Sequence, residues 1–186
     1  MELKKLLLGL DGIRGKGNLE IDITGIESNS KNVEEGYLFI AIKGFTVDGH
    51  EYIENAVKSG ATAIVVQEGC DLKLIKNLEN TTIIMVPDTR KALAIISSNF
   101  YGNPSKKLKL IGVTGTKGKT TTTFMIKEIL EKAGHKVGLI GTIATYINGK
   151  MITENARTTP ESIELQKTCA EMVKKWQIAR EQHQKV

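Results

Sequence analysis

Residues Leu108–Thr123 read LKLIGVTGTKGKTTTT, and this stretch decides how the second half of the chain is built. An apolar run (Leu110, Ile111, Val113) leads into a loop with glycines at 112, 115 and 118, then Lys119 and a run of threonines. Beyond them Phe124, Met125, Ile129, Leu130 and Ala133 recur at helical spacing, which predicts a helix over 121–133 with those residues on its core side. Strand, glycine loop, Gly-Lys-Thr and helix in that order is the context a phosphate-binding loop requires. Glycines let consecutive backbone N–H groups turn toward one anion, and the helix N-terminus adds partial positive charge. Lys119 is placed to meet the β- and γ-phosphates of a nucleotide, and the Thr120 hydroxyl to ligate Mg²⁺. The common loop has glycine where Val113 stands, so this is a variant of the pattern. A tight strand-to-helix turn with ordinary exposed threonines is the bland alternative. Gly-Lys-Thr-Thr between strand and helix favours a nucleoside triphosphate site.

Working outward, 186 residues suffice for one large or two small domains with real cores. With 40% hydrophobic and 25% charged residues, the composition is that of an ordinary soluble globular protein. No apolar run approaches the ~18 residues of a membrane span. The N-terminal MELKKLLLGL lacks a small-residue cleavage site and reads as a first helix. The net charge of +5 is spread out, and its lysine clusters lack interleaved aromatics. That argues against nucleic acid and suits phosphorylated, carboxylated substrates. Cys70 and Cys169 have no metal-ligand spacing and are expected as free thiols in a reducing cytosol. The histidines at 50, 135 and 183 form no cluster in sequence.

Residues 2–10 are expected as an amphipathic helix, followed by a glycine-rich turn at Gly12, Gly15 and Gly17. Strands are expected at Glu20–Ile26, Tyr37–Ile42, Ala63–Val66 and Thr82–Val86, and helices at His50–Ser59 and Leu72–Leu78. Asp88 offers an N-cap for a helix carrying Leu93, Ile96 and Phe100, which ends at Gly102. His50 is assigned to the first turn of its helix with no chemistry, and Phe124 and Met125 to the core. Strands alternating with helices imply a mostly parallel α/β sheet. Asn103-Pro104-Ser105 reads as a hinge, giving domains of 1–105 and 106–186. In the second, the only strands expected are the one leading into the glycine loop and one at Val137–Ile143; a last helix spans Ser162–Lys175. An open nucleotide-binding sheet needs more strands, so this domain is expected to be incomplete.

The loop GVTGTKGKTTT resembles the ATP loop of the Mur ligases, which build the peptide stem of bacterial peptidoglycan, and of related amide ligases such as folylpolyglutamate synthetases. The first domain narrows the resemblance. Gly25-Ile-Glu-Ser-Asn-Ser30-Lys31, Val33, Gly36, LFIAI, Lys43-Gly44 and Asp48-Gly49-His50 with Tyr52-Ile53 are similar to the uridine-nucleotide domain of the tripeptide-forming (MurE-type) branch. GTIATYINGK and Thr158-Thr159-Pro160-Glu161-Ser162 favour that branch over the one that adds D-alanyl-D-alanine. The resemblance covers roughly residues 1–175.

The resemblance implies an α/β fold: an N-terminal mixed or parallel domain that binds the UDP-linked substrate, then a partial mononucleotide-binding domain. It implies that Gly115, Thr116, Lys117, Gly118, Lys119, Thr120 and Thr121 hold ATP, with Lys119 catalytic and Thr120 on Mg²⁺. Ser30 would contact the UDP moiety, and Thr158 and Thr159 the muramoyl peptide. On their own Ser30 and Thr158-Thr159-Pro160 read equally as groups satisfying backbone at a strand end and a helix start. The implied activity is ATP-dependent addition of a third amino acid, meso-diaminopimelate or L-lysine, to UDP-N-acetylmuramoyl-L-alanyl-D-glutamate, in the cytoplasm and as a monomer. The family reads Asp-Ser-Arg where Asn29-Ser30-Lys31 stands, and Asn where Arg157 stands. After Lys175 the family continues into an apolar strand, a modified lysine that helps bind magnesium, and a third domain. Against that pattern the chain is expected to be truncated and inactive alone; the alternatives are a non-catalytic nucleotide-binding remnant or another amide ligase of the family, of the D-alanyl-D-alanine-adding or folylpolyglutamate type.

Overall fold

The computed structural model describes residues 1–44, 47–71, 78–154 and 160–183, with backbone alone for 177–183. The chain forms two compact units, Met1–Gly102 and Asn103–Val186.

The first unit is a mixed α/β sheet covered on both faces. Its strands are β1 (Arg14–Lys16), β2 (Gly25–Glu27), β3 (Tyr37–Ile40), β4 (Ala63–Gln67) and β5 (Thr82–Val86), in the order β1-β5-β4-β3-β2. β2 to β5 run parallel, and β1 closes the far edge antiparallel to β5, with Gly15 opposite Ile84. β3 and β4 are near-continuous apolar runs because both of their faces are buried. Phe39, Ile64, Val66 and Ile83 pack with Ile53 and Ala56 of α2 (Ile53–Lys58). On the alternate positions Leu38, Ile40, Val65, Ile84 and Val86 are buried too, as are Ala92, Leu93 and Ile96 of α3 (Thr89–Phe100). Asp88 caps α3 by accepting from the amides of Arg90 and Lys91, at 2.9 and 3.0 Å. Asn99 near its other end donates to the carbonyls of Leu6 and Leu8, which fastens the N-terminal segment to α3.

Four expectations need correction here. The N-terminal helix is the single turn α1 (Leu3–Leu6): Gly9 takes a φ of +86° and Leu10 donates to the Leu7 carbonyl, so the chain leaves the helix in a turn, while the first-turn amides of Leu3 and Lys4 donate to the Ile21 and Leu19 carbonyls. The glycine-rich turn contains strand β1, invisible in the sequence because all three of its residues are exposed and its pairing is long-range. The strand expected over Glu20–Ile26 begins only at Gly25, with Asp22 making an isolated bridge to Glu2. The helix expected at His50–Ser59 is a 3₁₀ turn, Gly49–Tyr52, running into α2. The helix expected at Leu72–Leu78 falls on residues 72–77, outside those described.

The second unit opens with a 3₁₀ turn at Pro104–Lys107 and contains α4 (Lys119–Lys132), α5 (Ser162–His183) and a three-stranded sheet. That sheet, β6 (Gly138–Ile140), β7 (Ala144–Ile147) and β8 (Lys150–Glu154), is an antiparallel meander. The expected strand over Val137–Ile143 is therefore shorter, and it pairs with β7 in a hairpin arrangement the expectation lacked. The β7–β8 turn is Asn148-Gly149, with φ of +52° and +74° and Ile147 opposite Lys150. Both turn residues need φ > 0 to match strand twist, which Asn-Gly supplies at least cost. Asn148 also accepts from Trp176 Nε1 at 3.0 Å, tying the turn to α5.

The strand expected to lead into the glycine loop is absent: residues 109–114 are irregular, and Leu110 and Ile111 are 65% and 62% exposed. An apolar run becomes a strand only when another strand pairs with it, and no described strand lies beside this one. The helix after the loop is present, starting at Lys119 rather than 121. Its core side is not the one expected. Met125 and Ile129 are exposed, Phe124 is half-buried edge-on to Tyr146, and the buried residue of α4 is Lys127. No described helix is long and apolar enough to cross a membrane.

Candidate functional site

In the second unit the loop through Gly115 to Gly118 is exposed and delivers the chain into α4. Gly118 is the N-cap residue with φ of +80°, and no side chain caps the helix. The first intrahelical bond runs from the Thr122 amide to the Gly118 carbonyl, at 2.9 Å. The amides of Lys119, Thr120 and Thr121 precede it and have no intrahelical acceptor, which leaves a donor cluster at a positive helix end. Lys119 Nζ folds over the loop and donates to the Gly115 carbonyl at 2.6 Å. The ammonium is therefore held against the loop's own backbone. Added Cβ atoms at Gly112 and Gly118 would meet nothing, so the loop is open. Lys127 and Tyr146 anchor α4 beneath: Lys127 Nζ lies 2.7 Å from Glu131 Oε2 and 5.8 Å from the Tyr146 ring centroid.

In the first unit a cavity of ≈ 350 Å³ is lined by Ser28, Asn29, Ser30, Lys31, Phe39, Ile42, Val47, Gly49 and Tyr52. It sits past the C-terminal ends of parallel strands β2 and β3, where open α/β sheets take their ligands. Ser30 is buried and starts a 3₁₀ turn capped by Asn29, whose Oδ1 accepts from the Lys31 amide at 3.1 Å. The Glu27 carboxylate accepts from the amides of Ser28 and Asn29, at 3.1 and 3.3 Å, so the strand end is rigidly turned.

The structure thus brings Ser30 to a pocket and Gly115–Thr121 to an exposed loop and uncapped helix start, each within its own unit. Thr158 and Thr159 lie outside the described residues. Sequence reasoning missed the part played by Asp48 and His50. The Asp48 carboxylate accepts from the His50 amide and stands 2.6 Å from His50 Nδ1, while the Gln67 amide donates to His50 Nε2 at 3.0 Å. An Asx turn at Asp48-Gly49-His50 is the signal that pointed there.

Two family models match the chain: the Mur ligase family catalytic domain over residues 22–101 and the Mur ligase middle domain over 113–179. The chain belongs to the Mur ligase family. It is 53% identical over 173 residues to a UDP-N-acetylmuramoyl-L-alanyl-D-glutamate–2,6-diaminopimelate ligase of Clostridium perfringens, a match covering 93% of this chain and 34% of that protein. The protein of the same name in Clostridium botulinum is 54% identical, over 93% of this chain and 35% of its own. The chain thus spans about a third of the length of these curated relatives. Among solved structures, one described under that same ligase name aligns with a TM-score of 0.67 over 94% of this chain and 34% of its own, at 20% identity, a likeness of fold.

Proposed function

We propose that this chain is the uridine-nucleotide-binding and ATP-binding part of a ligase that adds an amino acid to UDP-N-acetylmuramoyl-L-alanyl-D-glutamate. The observation that carries the reading is the loop before α4, with its uncapped helix start and Lys119 Nζ 2.6 Å from the Gly115 carbonyl. In such a ligase the D-glutamate carboxylate takes the γ-phosphoryl group of ATP, and the amine of the incoming amino acid then displaces phosphate to form the amide. Gly115–Thr121 would bind the phosphates through backbone amides, and Lys119 would leave the Gly115 carbonyl to neutralise charge on the transferring group. The hydroxyl donor of Thr120 at the helix start suits Mg²⁺, which when bound offsets phosphate charge. The cavity beside β2 and β3 would take the UDP end, with the buried Ser30 hydroxyl and Lys31 facing its phosphates or ribose. Thr158 and Thr159 would contact the muramoyl peptide. The relatives' names make 2,6-diaminopimelate the first amine to test, with L-lysine as comparison.

Calorimetric titration of the 186-residue chain tests the reading. MgATP and the UDP-muramoyl-dipeptide are expected to bind independently, one to each unit. A folded chain that binds neither ligand refutes it.

A further inference from the structure

The imidazole of His50 is mostly buried at the end of β4, outside both proposed binding sites, and its two nitrogens are both engaged. In a parallel ladder the donor that follows the Ala41 N–H to Val65 O bond is the Gln67 amide, whose expected acceptor is the Ala41 carbonyl. β3 has ended by then, and the Gln67 amide donates to His50 Nε2 instead. An N–H can only donate, so Nε2 is unprotonated and the ring proton sits on Nδ1, facing the Asp48 carboxylate. Asp48 is joined to Lys43 by an antiparallel bridge, and the Arg90 guanidinium donates to the Lys43 carbonyl at 3.2 Å. Gly49 donates to the Ile42 carbonyl and crosses it so closely that a Cβ would lie 2.6 Å from that oxygen. Gly49 and Ile42, so held, and Val47, next to Asp48 in the chain and accepting from the Gly44 amide at 2.9 Å, line the cavity past β2 and β3.

We infer that His50 is a positioning residue of that cavity: as the neutral Nδ1–H tautomer it extends the β4 ladder by one side-chain acceptor and, through Asp48, fixes the wall formed by Val47 and Gly49. The ligand-binding part of this inference rests on the uridine-pocket reading; the clamp itself does not. His50 touches no ligand in this account, and its effect passes entirely through the wall.

The test uses the full chain. In the ¹⁵N spectrum of the imidazole at pH 7, Nε2 is expected to be the unprotonated nitrogen, with a through-bond coupling to the Gln67 amide. His50→Ala is expected to speed Gln67 amide exchange by about tenfold or more, the scale of one lost hydrogen bond. It is expected to weaken the UDP-muramoyl-dipeptide by a similar factor while MgATP affinity holds. His50→Gln, which offers Oε1 where Nε2 stands, is expected to recover most of both losses; a merely space-filling role would not distinguish Gln from other side chains of its size, so His50→Met is the comparison. A protonated Nε2 in the wild-type spectrum overturns the inference, as does unchanged Gln67 exchange in folded His50→Ala. If His50→Ala does not fold, the wild-type spectrum and the Gln–Met comparison still decide. A wild-type chain that binds no UDP ligand sinks the substrate reading, and the exchange data then decide the clamp alone.

Discussion

Lys127 Nζ lies 2.7 Å from Glu131 Oε2, and this lysine, not Met125 or Ile129, is the buried residue of α4. One turn of helix separates the pair, and the Tyr146 ring closes over the ammonium. The hydrogen bond to Glu131 raises the lysine pKa against the opposing effect of burial, so the group is charged at neutral pH. Glu131 Oε1 has no partner and is itself buried. Lys127→Met keeps the volume but leaves Glu131 uncompensated, and is expected to destabilise the second unit by about 2 kcal/mol or more. Glu131→Gln in the Lys127→Met background should return part of that loss. Denaturant unfolding followed at Trp176 measures both, and additive effects would mean the two residues do not interact.

Lys119→Ala is expected to weaken MgATP far more than AMP, by about 2 kcal/mol, because the ammonium acts on the terminal phosphates. Folding should change little, since the Gly115 carbonyl that loses its partner is exposed to water. Titration of wild type and variant with both nucleotides is the measurement. Equal losses for the two would contradict the assignment.

A fragment ending at Gly102 contains the whole five-stranded sheet and its covering helices, so it should fold alone. It is expected to bind the UDP-muramoyl-dipeptide without ATP, and Ser30→Ala should reduce that affinity about fivefold to tenfold, the scale of one hydrogen bond. Chemical-shift mapping should place the effect at Ser28–Lys31 and Tyr52. Shifts confined to the other end of the sheet would remove Ser30 from the site.

The Asp48 carboxyl is held below its usual value first by the His50 backbone N–H, then by the His50 side chain, and Lys43 adds to this against the cost of burial. A depressed folded pKa contributes stability that is present above the unfolded value, about 3.9, and is lost as pH falls through the folded one. Asp48→Asn keeps an acceptor but cannot titrate. Thermal melts of the first unit between neutral pH and about pH 3 should therefore show wild type losing its margin over Asp48→Asn as pH falls below about 4. Parallel curves would show that Asp48 does not contribute to acid sensitivity.

Gly149 has φ of +74° in the two-residue turn between β7 and β8. Gly149→Ala forces a Cβ into the left-handed region, a cost of about 1–2 kcal/mol. A lowered melting temperature with the Trp176 environment altered is expected, because Asn148 in the same turn holds the indole. An unchanged melt would mean the turn is not formed in solution.

The Asn148-Gly149 turn and the glycine loop before α4 are both legible in the sequence. Local chemistry decides such features: Gly118 before Lys119 and Asp88 before α3 each carry their own cause within a few residues. The same holds for the apolar runs that form β3 and β4, since burial on both faces leaves a mark in every residue. Lys119 is nameable from its own short motif, whereas Ser30 is nameable only through the resemblance of the stretch around it.

Tertiary structure alone decided the rest. β1 is three exposed residues whose strand exists only because β5 offers an edge some seventy residues away in sequence (Gly15 with Ile84). Leu110 and Ile111 have the composition of a strand, yet no described strand pairs with them, and they stay irregular and exposed. Helical spacing marked Met125 and Ile129 as core, but which face of α4 is covered depends on where Tyr146 and Glu131 stand, and they select Lys127. His50 gained its place because β3 stops one carbonyl short of Gln67. A sequence states what each residue can bury or donate; which partner arrives is fixed by pairings between segments far apart in the chain, and only the folded chain contains those.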